Sequence, residues 1–590
     1  MKDIYNTLAS TSSVTLYSYI DNLYIVGSPQ EVIKSFEKLK QELNTANLEC
    51  NHSKSSFIYF HAVSHPLSAT IIDSLQNDHI EIKNRHAEIL GAPIGATEQD
   101  IIDGLRQLSY RNNLHHFFKR LINPHLSVQA AMLLLIKCGV PKLSYLLRCV
   151  PPTCISAYAA EMDGQVLNCA SKLLKLSDTD MKKSKIIQQL QSPISYGFGL
   201  ISAVESSHVA YLSSVVSCLS MKTLKQYLSC SSVSSSSHPT SSPSSLSSSP
   251  TEPSMLYQHL EQCIITIKQN LIVNGNQTGI RSDLLPSSVS QIISHYQQHH
   301  TVIPILHSEV TSQIYKQRFK NNVTNAQQNG DSREAARMLA VSAYGASVWK
   351  TTTPSTAQST LSDTHYQIAA KLALGVPPVS LPSDCRSCHK ADACETDPFH
   401  PLSCNSQRGR EITLRHDSVV NDLHHGIKAA GGVCIKEPSR LGSDGDNSRP
   451  DLQVVIGGEQ VLVDVTIGNP TCQTYQDQCS EEQLKCTVMA EQRKNNKYSA
   501  MAETQNAKFI PFAVEMYGGL GKSAKKLLNM ISKCARDQML MWPYHRIIQN
   551  LKGEIAISIQ RGNAIAILAG YNRAIGKPAK LHMGRGDAAA

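Results

Sequence analysis

Two aspartates lie close together in the stretch RPDLQVVIGGEQVLVDVTIGNP, residues 449–470, where twelve residues separate Asp451 from Asp464. The stretch predicts two apolar strands joined at GGEQ, and a hairpin brings its strands side by side. Carboxylates on neighbouring strands can hold Mg²⁺ or Mn²⁺, which polarises a phosphodiester and lowers the pKa of an attacking water. The alternative is a hairpin with ordinary surface acids. Asp464 inside VLVDVTI disfavours it, because an unpaired carboxylate is costly to bury.

Further charged residues flank this predicted hairpin. They are Arg415, His416 and Asp417 of the motif RHD, Glu437 at a predicted strand end, and Lys494 and Lys497 in AEQRKNNKYSA. The two lysines are three residues apart, which places them on one face of a predicted helix. A lysine near the aspartates can orient the attacking water or neutralise the charge that develops on phosphorus. The alternative is a solvated basic helix. We favour a metal-dependent phosphodiesterase site, because that chemistry needs both oxygen ligands and a cation.

A cluster of cysteine and histidine residues precedes this region, in CRSCHKADACETDPFHPLSC. Cys385 and Cys388 are spaced as a knuckle, and His400 and Cys404 can complete a tetrahedral site, since thiolate and imidazole are the ligands that zinc prefers. Cys394 is a competing ligand, and a polar loop without metal is the alternative. Because four ligands fall within a short stretch, we predict a structural zinc site.

Length and composition limit the class of protein. The chain has 590 residues, so we expect several domains, since a single core rarely exceeds about 250–300 residues. The net charge of +9 allows a polyanionic partner. The 17 cysteines are scattered and MKDIYNTLAS lacks an apolar leader segment, so we expect no secretion. The sequence shows no apolar run of about 18 residues, so we also expect no membrane-spanning segment.

The motifs from the knuckle onwards occur in an order that resembles a known family. The knuckle, RHD, EP, RPD, DVT and a later KxxKY resemble the restriction-like endonuclease of early-branching, site-specific non-LTR retrotransposons, a PD-(D/E)xK-type nuclease. The resemblance covers about 384–568. It implies metal roles for Asp451 and Asp464 and a catalytic lysine at Lys494 or Lys497, with Lys497 slightly favoured. Two features differ from the family pattern: the spacer before His400 is longer, and the lysines lie far from Asp464 in sequence.

A second resemblance lies at the N-terminus. YIDNLYIVG, NHSKS and LGAPIG follow one another like the end of a reverse-transcriptase palm, with its metal-binding turn and primer-grip hairpin. The subsequent AAMLLLIKCGVPKLSYLLRCVPP resembles the thumb and connector of the same elements. The resemblance implies that Asp21 is a vestigial polymerase metal ligand. Asn22 stands where the family has a second aspartate, and the chain begins too late to supply the other palm strand.

We therefore expect the 590-residue chain to extend no primer, since polymerase chemistry needs two metal ions held by aspartates from separate palm strands. Asn22→Asp is expected not to restore activity, because one repaired turn does not create the second strand. Primer extension on a homopolymer template is the measurement, and robust extension would contradict the expectation.

These observations predict an α+β multidomain protein that ends in an α/β restriction-like endonuclease. The predicted domains are a partial palm at 1–99, a helical thumb and connector at 100–228, a disordered Ser/Pro-rich linker at 229–254, a helical connector at 255–383, a zinc knuckle at 384–407, the endonuclease at 408–570 and a flexible tail at 571–590. The predicted function is nuclear, metal-dependent DNA cleavage, with DNA and the element's own RNA as partners. A catalytically dead nucleic-acid-binding remnant is the alternative, and a helical adaptor would suit residues 100–380 alone.

Overall fold

The computed structural model describes residues 14–20, 22–60, 65–112, 114–218, 255–271, 285–299, 305, 307–404, 406, 410–439, 441, 449–538 and 544–575. It combines helices with small sheets, in agreement with the α+β prediction. Two expectations lie outside the described residues: Asp21, and the Ser/Pro-rich linker at 229–254. The chain divides into two compact units. One comprises Met1–Asn113 with Cys149–Tyr158, the other Leu114–Arg148 with Ala159–Ala590.

The first unit contains short strands and three helices among its described residues up to 112. In chain order they are β1 (Thr15–Tyr19), β2 (Asn22–Val26), α1 (Pro29–Thr45), β3 (Ser56–Ile58), α2 (Ala69–Asn77), β4 (Glu81–Lys83), β5 (His86–Ile89), β6 (Ala92–Gly95) and α3 (Glu98–Asn112). Strands β1 and β2 form an antiparallel pair, and β3 pairs with β4 in parallel. Strands β5 and β6 form a second antiparallel hairpin, which turns at Leu90 and Gly91 with positive φ angles.

Helix α1 buries one apolar face. Leu39 and Leu43 pack with Leu16 of β1, while Val32 and Phe36 contact a neighbouring apolar cluster. A proline near the first helical position suits the start of the helix, because its missing N–H would have no helical acceptor there.

Residues 114–374 are helical over most of their described length. The helices are α4 (Leu114–Leu121), α5 (Val128–Leu134), α6 (Leu146–Cys149), α7 (Pro152–Leu174), α8 (Asp178–Met181), α9 (Ser184–Gln191), α10 (Ala203–Ser217), α11 (Met255–Leu271), α12 (Val289–His299), α13 (His307–Gln328), α14 (Ser332–Val341), α15 (Val348–Thr351) and α16 (Asp363–Leu374).

One stretch in the described part of the chain, Val128–Cys149, is long and apolar enough to cross a bilayer. The sequence predicts no membrane-spanning segment. Here the stretch contributes to a protein core, where Met132 and Leu135 are fully buried. Its buried Gln129 amide donates to Thr352 O at 2.9 Å and Ser359 O at 3.0 Å. Length and composition are therefore weak evidence for a membrane span, because a core helix passes the same test.

The last part of the second unit contains a four-stranded sheet between helices. Its elements are α17 (Ala393–Thr396), α18 (Arg410–Ala429), β7 (Val433–Lys436), β8 (Leu452–Ile456), β9 (Glu459–Gly468), α19 (Gln476–Glu481), α20 (Lys485–Thr504), β10 (Lys508–Glu515), α21 (Lys522–Asp537) and α22 (Tyr544–Ala574). The strand order is β10-β9-β8-β7. The neighbouring strands β9 and β10 pair in parallel, whereas the pairs β7–β8 and β8–β9 are antiparallel. Strand β8 turns into β9 at Gly457 and Gly458, which both have positive φ angles.

The two faces of this sheet have different neighbours. Alternate strand residues such as Val454, Val463 and Phe512 pack with α18, α21 and α22 in one large apolar core. On the opposite face Leu462 packs with Tyr498 of α20. Since side chains alternate along a strand, Asp464 shares the face of Leu462 and points towards α20.

The terminal helix α22 runs to Ala574, so it includes the first residues of the predicted tail at 571–590. Its Arg573 lies 2.5 Å from the buried carboxylate of Glu411 on α18. The two helices also pack along much of their length, so α22 belongs to the core of this part of the molecule.

Candidate active site and metal-binding cluster

The hairpin register places the two predicted aspartates next to each other. Leu452 pairs with Val463, so Asp451, just before β8, lies opposite Asp464 of β9. Opposite residues of an antiparallel pair point to the same face of a sheet. The two carboxylates therefore lie side by side at the start of the hairpin.

Asp464 is buried, with 4% of its side chain exposed, and its partner is Lys494 of α20, whose Nζ lies 2.5 Å from Oδ2. Burial raises the pKa of Asp464, as does the charge of Asp451, and contacts with Lys494 and Tyr498 oppose this rise. A buried carboxylate oxygen of this kind beside a second carboxylate suits a divalent cation.

The backbone and His416 hold Asp451 in one orientation. Its Oδ2 accepts hydrogen bonds from Val465 N at 2.6 Å and from His416 Nε2 at 3.2 Å. Its peptide oxygen accepts from Glu437 N at 2.9 Å, which extends the ladder between β7 and β8 by one residue. Both of these side-chain contacts use Oδ2. The Glu437 side chain is exposed, and its backbone has a positive φ of 48°.

His416 of α18 is placed to orient Asp451. Burial alone would lower its pKa, but the hydrogen bonds and charges of Asp451 and Asp417 outweigh burial and raise the pKa to about 9. Its Nδ1 lies 3.1 Å from Asp417 Oδ1. A protonated imidazole donates from both nitrogens, so His416 can hold the Asp451 carboxylate in one orientation.

Two other predicted residues lie away from the aspartates. Arg415 points to the opposite side of α18, where its Nη1 donates to Asn563 Oδ1 at 2.6 Å, and burial lowers its pKa to about 10. Lys497 is exposed, and its Nζ donates to the Tyr498 hydroxyl at 3.0 Å. Of the two predicted lysines, Lys494 is the one that contacts Asp464.

Tyr498 is a site residue to which the sequence analysis gave no role. It is buried, and its hydroxyl donates to Arg449 O at 3.0 Å. Lys497 Nζ lies 4.7 Å and Lys494 Nζ 5.8 Å from its ring centroid, so the ring attracts both ammonium groups. The signal was available, because the tyrosine directly follows Lys497 in the KxxKY motif.

The four predicted zinc ligands converge. The ligand atoms of Cys385, Cys388, His400 and Cys404 all lie within 4.8 Å of one another. Two of the separations are 3.9 Å, from Cys385 Sγ to Cys404 Sγ, and 3.3 Å, from Cys388 Sγ to His400 Nε2. Tetrahedral zinc with Zn–S bonds of about 2.3 Å requires sulfur atoms about 3.8 Å apart. The cluster therefore has the ligand types and the spacing to bind a zinc ion.

The surroundings of Cys385 and His400 favour the protonation states that bind a cation. Burial alone would raise the pKa of Cys385, but N–H groups of Cys388 and Ser387, together with neighbouring thiols, lower it overall. His389 has a positive φ of 56°, and its N–H donates to Cys385 O at 2.8 Å, which closes the knuckle. Burial lowers the pKa of His400 and so favours the neutral imidazole that zinc requires.

Cys394, the competing ligand, lies outside this group. It packs in the same small apolar cluster, and burial together with the neighbouring Cys385 raises its pKa to about 11. The ligand atoms that lie within 4.8 Å of one another belong to Cys385, Cys388, His400 and Cys404, so position separates Cys394 from the four candidate ligands.

Comparison with known proteins gives one line of similarity. No family model matches the sequence. A stretch of 158 residues is 25% identical to the "Retrotransposable element SLACS 132 kDa protein" of Trypanosoma brucei gambiense, which is 25% of this chain and 13% of that protein. The chain thus matches well under two thirds of the length of this relative. The similarity supports a retrotransposon origin.

Proposed function

We propose that the chain is a metal-dependent DNA endonuclease of a non-LTR retrotransposon, joined to a reverse-transcriptase-like part, residues 1–99, that is inactive alone. The observation that carries the proposal is the buried Asp464, which lies opposite Asp451 and in contact with Lys494. A structural role alone does not explain the two carboxylates side by side, since the charge of Asp451 raises the pKa of the buried Asp464.

In the proposed mechanism Asp451 and Asp464 would hold a Mg²⁺ or Mn²⁺ ion, which when bound would stabilise negative charge at the phosphodiester and lower the pKa of an attacking water. His416 and the Val465 N–H keep Asp451 in the ligating orientation. Lys494 contributes positive charge next to the reacting phosphate, where charge develops in the transition state. The backbone of Glu437 aligns the start of β8, and its exposed side chain is available as a further acid at the mouth of the site.

The plasmid assay is the direct test of this proposal. We expect the full chain to convert supercoiled plasmid to the open-circular form with Mg²⁺ or Mn²⁺ and to leave it intact in EDTA. The catalytically dead remnant gives a different result: salt-sensitive DNA binding and uncut plasmid with every divalent metal. Nuclear DNA is the proposed target, and the element's own RNA is a proposed second partner.

We assign the catalytic lysine to Lys494, because Lys494 contacts Asp464 whereas Lys497 contacts Tyr498. Lys494→Ala is expected to lower the nicking rate about a hundredfold or more, as removal of one positioned charge-stabilising group does in other enzymes. Lys497→Ala removes the same charge from the same helix and is the matched control, with an expected loss below about threefold, typical of a surface charge. Single-turnover nicking rates at saturating Mg²⁺ measure both.

The Mg²⁺ concentration that gives half-maximal nicking should change little in either lysine variant, because an ammonium group does not ligate the ion. A large loss with Lys497→Ala and none with Lys494→Ala would reverse this assignment and leave the two aspartates as ligands.

A further inference from the structure

Tyr344, between α14 and α15, is an aromatic residue on the protein surface with 53% of its area exposed. Its ring contacts two ammonium groups: Lys525 Nζ of α21 lies 4.5 Å from the ring centroid, and Lys552 Nζ of α22 lies 5.5 Å from it. Lys552 also donates a hydrogen bond to the Tyr344 hydroxyl at 3.0 Å. An accessible aromatic ring and positive charge therefore occupy the same place on the surface.

The backbone holds Tyr344 against the sheet domain. Its carbonyl accepts a hydrogen bond from Leu520 N at 2.9 Å, in the loop between β10 and α21. The next residue, Gly345, has a φ of +97°, and a Cβ there would lie 2.8 Å from Gly518 O. The backbone at Gly345 and the backbone at Gly518 approach closely, so the backbone next to Tyr344 is fixed in place. A fixed ring loses less conformational entropy when a ligand stacks on it.

The solvent face of α21 extends this charge. The helix buries Leu527, Leu528 and Ile531 and exposes Lys526 and Lys533. We define the α21 patch as Tyr344, Lys522, Lys525, Lys526, Lys533 and Lys552. A helix of sixteen residues is about 24 Å long, so the patch can follow several phosphates of a nucleic-acid strand.

The lysines of the α21 patch are available to contact an external partner. The nearby acids Glu459 and Glu482 already pair at 2.7 Å with Lys508 and Lys485, respectively. Within the part of the chain that the structure describes, none of the lysines of the α21 patch forms an ion pair. Glu459 interacts at longer range with Lys526 and Lys533, and Glu482 with Lys522, so these two acids offset part of the charge. The five lysines still outnumber the two acids, and such a cluster attracts a polyanion, whose counterions are released on binding.

We propose that the α21 patch binds single-stranded DNA, with Tyr344 stacked on an unpaired base and the lysines on the phosphates. A base inside a duplex has both faces covered by its neighbours, so an exposed tyrosine ring selects a strand whose bases are free. The inference rests on the proposed function, because a nick gives DNA a strand that can separate next to the nuclease.

Binding of a fluorescent oligothymidine to the full chain, measured by anisotropy in EDTA, tests the stacking contact without cleavage. Tyr344→Ala is expected to weaken binding about tenfold, the loss typical of one stacked base. Tyr344→Phe keeps the ring and should stay within about twofold of wild type on the same grounds. Tyr145→Ala, which removes another exposed tyrosine, is the matched control and should bind like wild type.

The charge contribution has its own measurement. Lys525→Gln is expected to reduce the slope of log affinity against log salt by about 0.7, the value for one phosphate contact with a single strand. Lys320→Gln removes an exposed lysine from α13 and should leave the slope unchanged. A slope identical in the two variants would exclude phosphate contact by the patch.

Photocrosslinking of the wild-type chain with a bromouracil oligonucleotide keeps the test independent of variant folding. The proposal expects the crosslinked peptide to contain Tyr344. Crosslinks elsewhere only, equal affinity of Tyr344→Ala and wild type, or tighter binding of the same sequence as RNA would each overturn it. Normal plasmid nicking with any of these results leaves the proposed function intact. Uncut plasmid with the expected binding overturns the proposed function alone.

Discussion

Asp464→Ala and Asp451→Ala are each expected to lower plasmid nicking by about a thousandfold or more. Each aspartate supplies oxygen ligands to the proposed Mg²⁺ ion, and a metal ion contributes several kcal/mol of transition-state stabilisation, with each 1.36 kcal/mol worth tenfold in rate. Raising the DNA concentration should not restore the rate, because the missing interaction acts in the chemical step. Single-turnover conversion of supercoiled to open-circular plasmid is the measurement.

Thermal unfolding distinguishes lost chemistry from lost structure. At neutral pH the ionised form of Asp464 is disfavoured by burial and by Asp451, which is why its pKa is raised. We therefore expect Asp464→Asn, a substitution of similar size, to unfold at or above the wild-type temperature in EDTA while it too loses nicking. Asp477→Ala, an acid on α19 outside the site, is the control and should cut normally. Equal nicking by wild type and both aspartate variants would contradict the catalytic proposal and favour the remnant.

The approach of the two aspartates could be predicted because it depends on local rules. A side-chain period of two and a tight turn at Gly457 and Gly458 determine the register, and the register sets Asp451 opposite Asp464. The convergence of the four knuckle ligands could be predicted in the same way, since they lie in one short stretch of sequence. In both cases the chain that connects the residues is short enough to define their geometry.

The choice between Lys494 and Lys497 required tertiary structure. Residues three apart on a helix lie on neighbouring positions of one face, so periodicity treats the two lysines alike. How α20 rotates against the sheet decides between them, and that rotation follows from the packing of Tyr498 on Leu462. The spacing of residues along the sequence could not predict this rotation of α20.

The contacts of neighbouring residues in the RHD motif also could not be predicted from spacing along the sequence. Successive side chains on a helix point about 100° apart. As a result, His416 reaches Asp451, whereas Arg415 turns to Asn563 of α22, which lies 148 positions further along the chain. Tyr344 also comes from outside the stretch that resembles the endonuclease. Contacts between residues so distant in sequence arise from packing of the whole unit.

Zinc analysis of the purified chain is expected to give about one zinc per molecule, and Cys404→Ser is expected to remove it. Binding energy at a structural zinc site is folding energy, with values of about 10–16 kcal/mol in zinc-finger peptides, so loss of a ligand should unfold the knuckle. The knuckle also contributes buried Pro401 and Leu402, and its Asp397 pairs with Arg333 at 2.8 Å. We therefore expect faster proteolysis within 384–404.

Cys394→Ser is the matched control for this prediction, because it removes a buried cysteine from the same small cluster while the four converging ligands remain. It should retain zinc and resist proteolysis like wild type. Loss of zinc in Cys394→Ser but not in Cys404→Ser would exchange the two residues as ligands. A wild-type chain without zinc, purified in the absence of chelators, would contradict the site altogether, since four ligand atoms within 4.8 Å would then be held by protein packing alone.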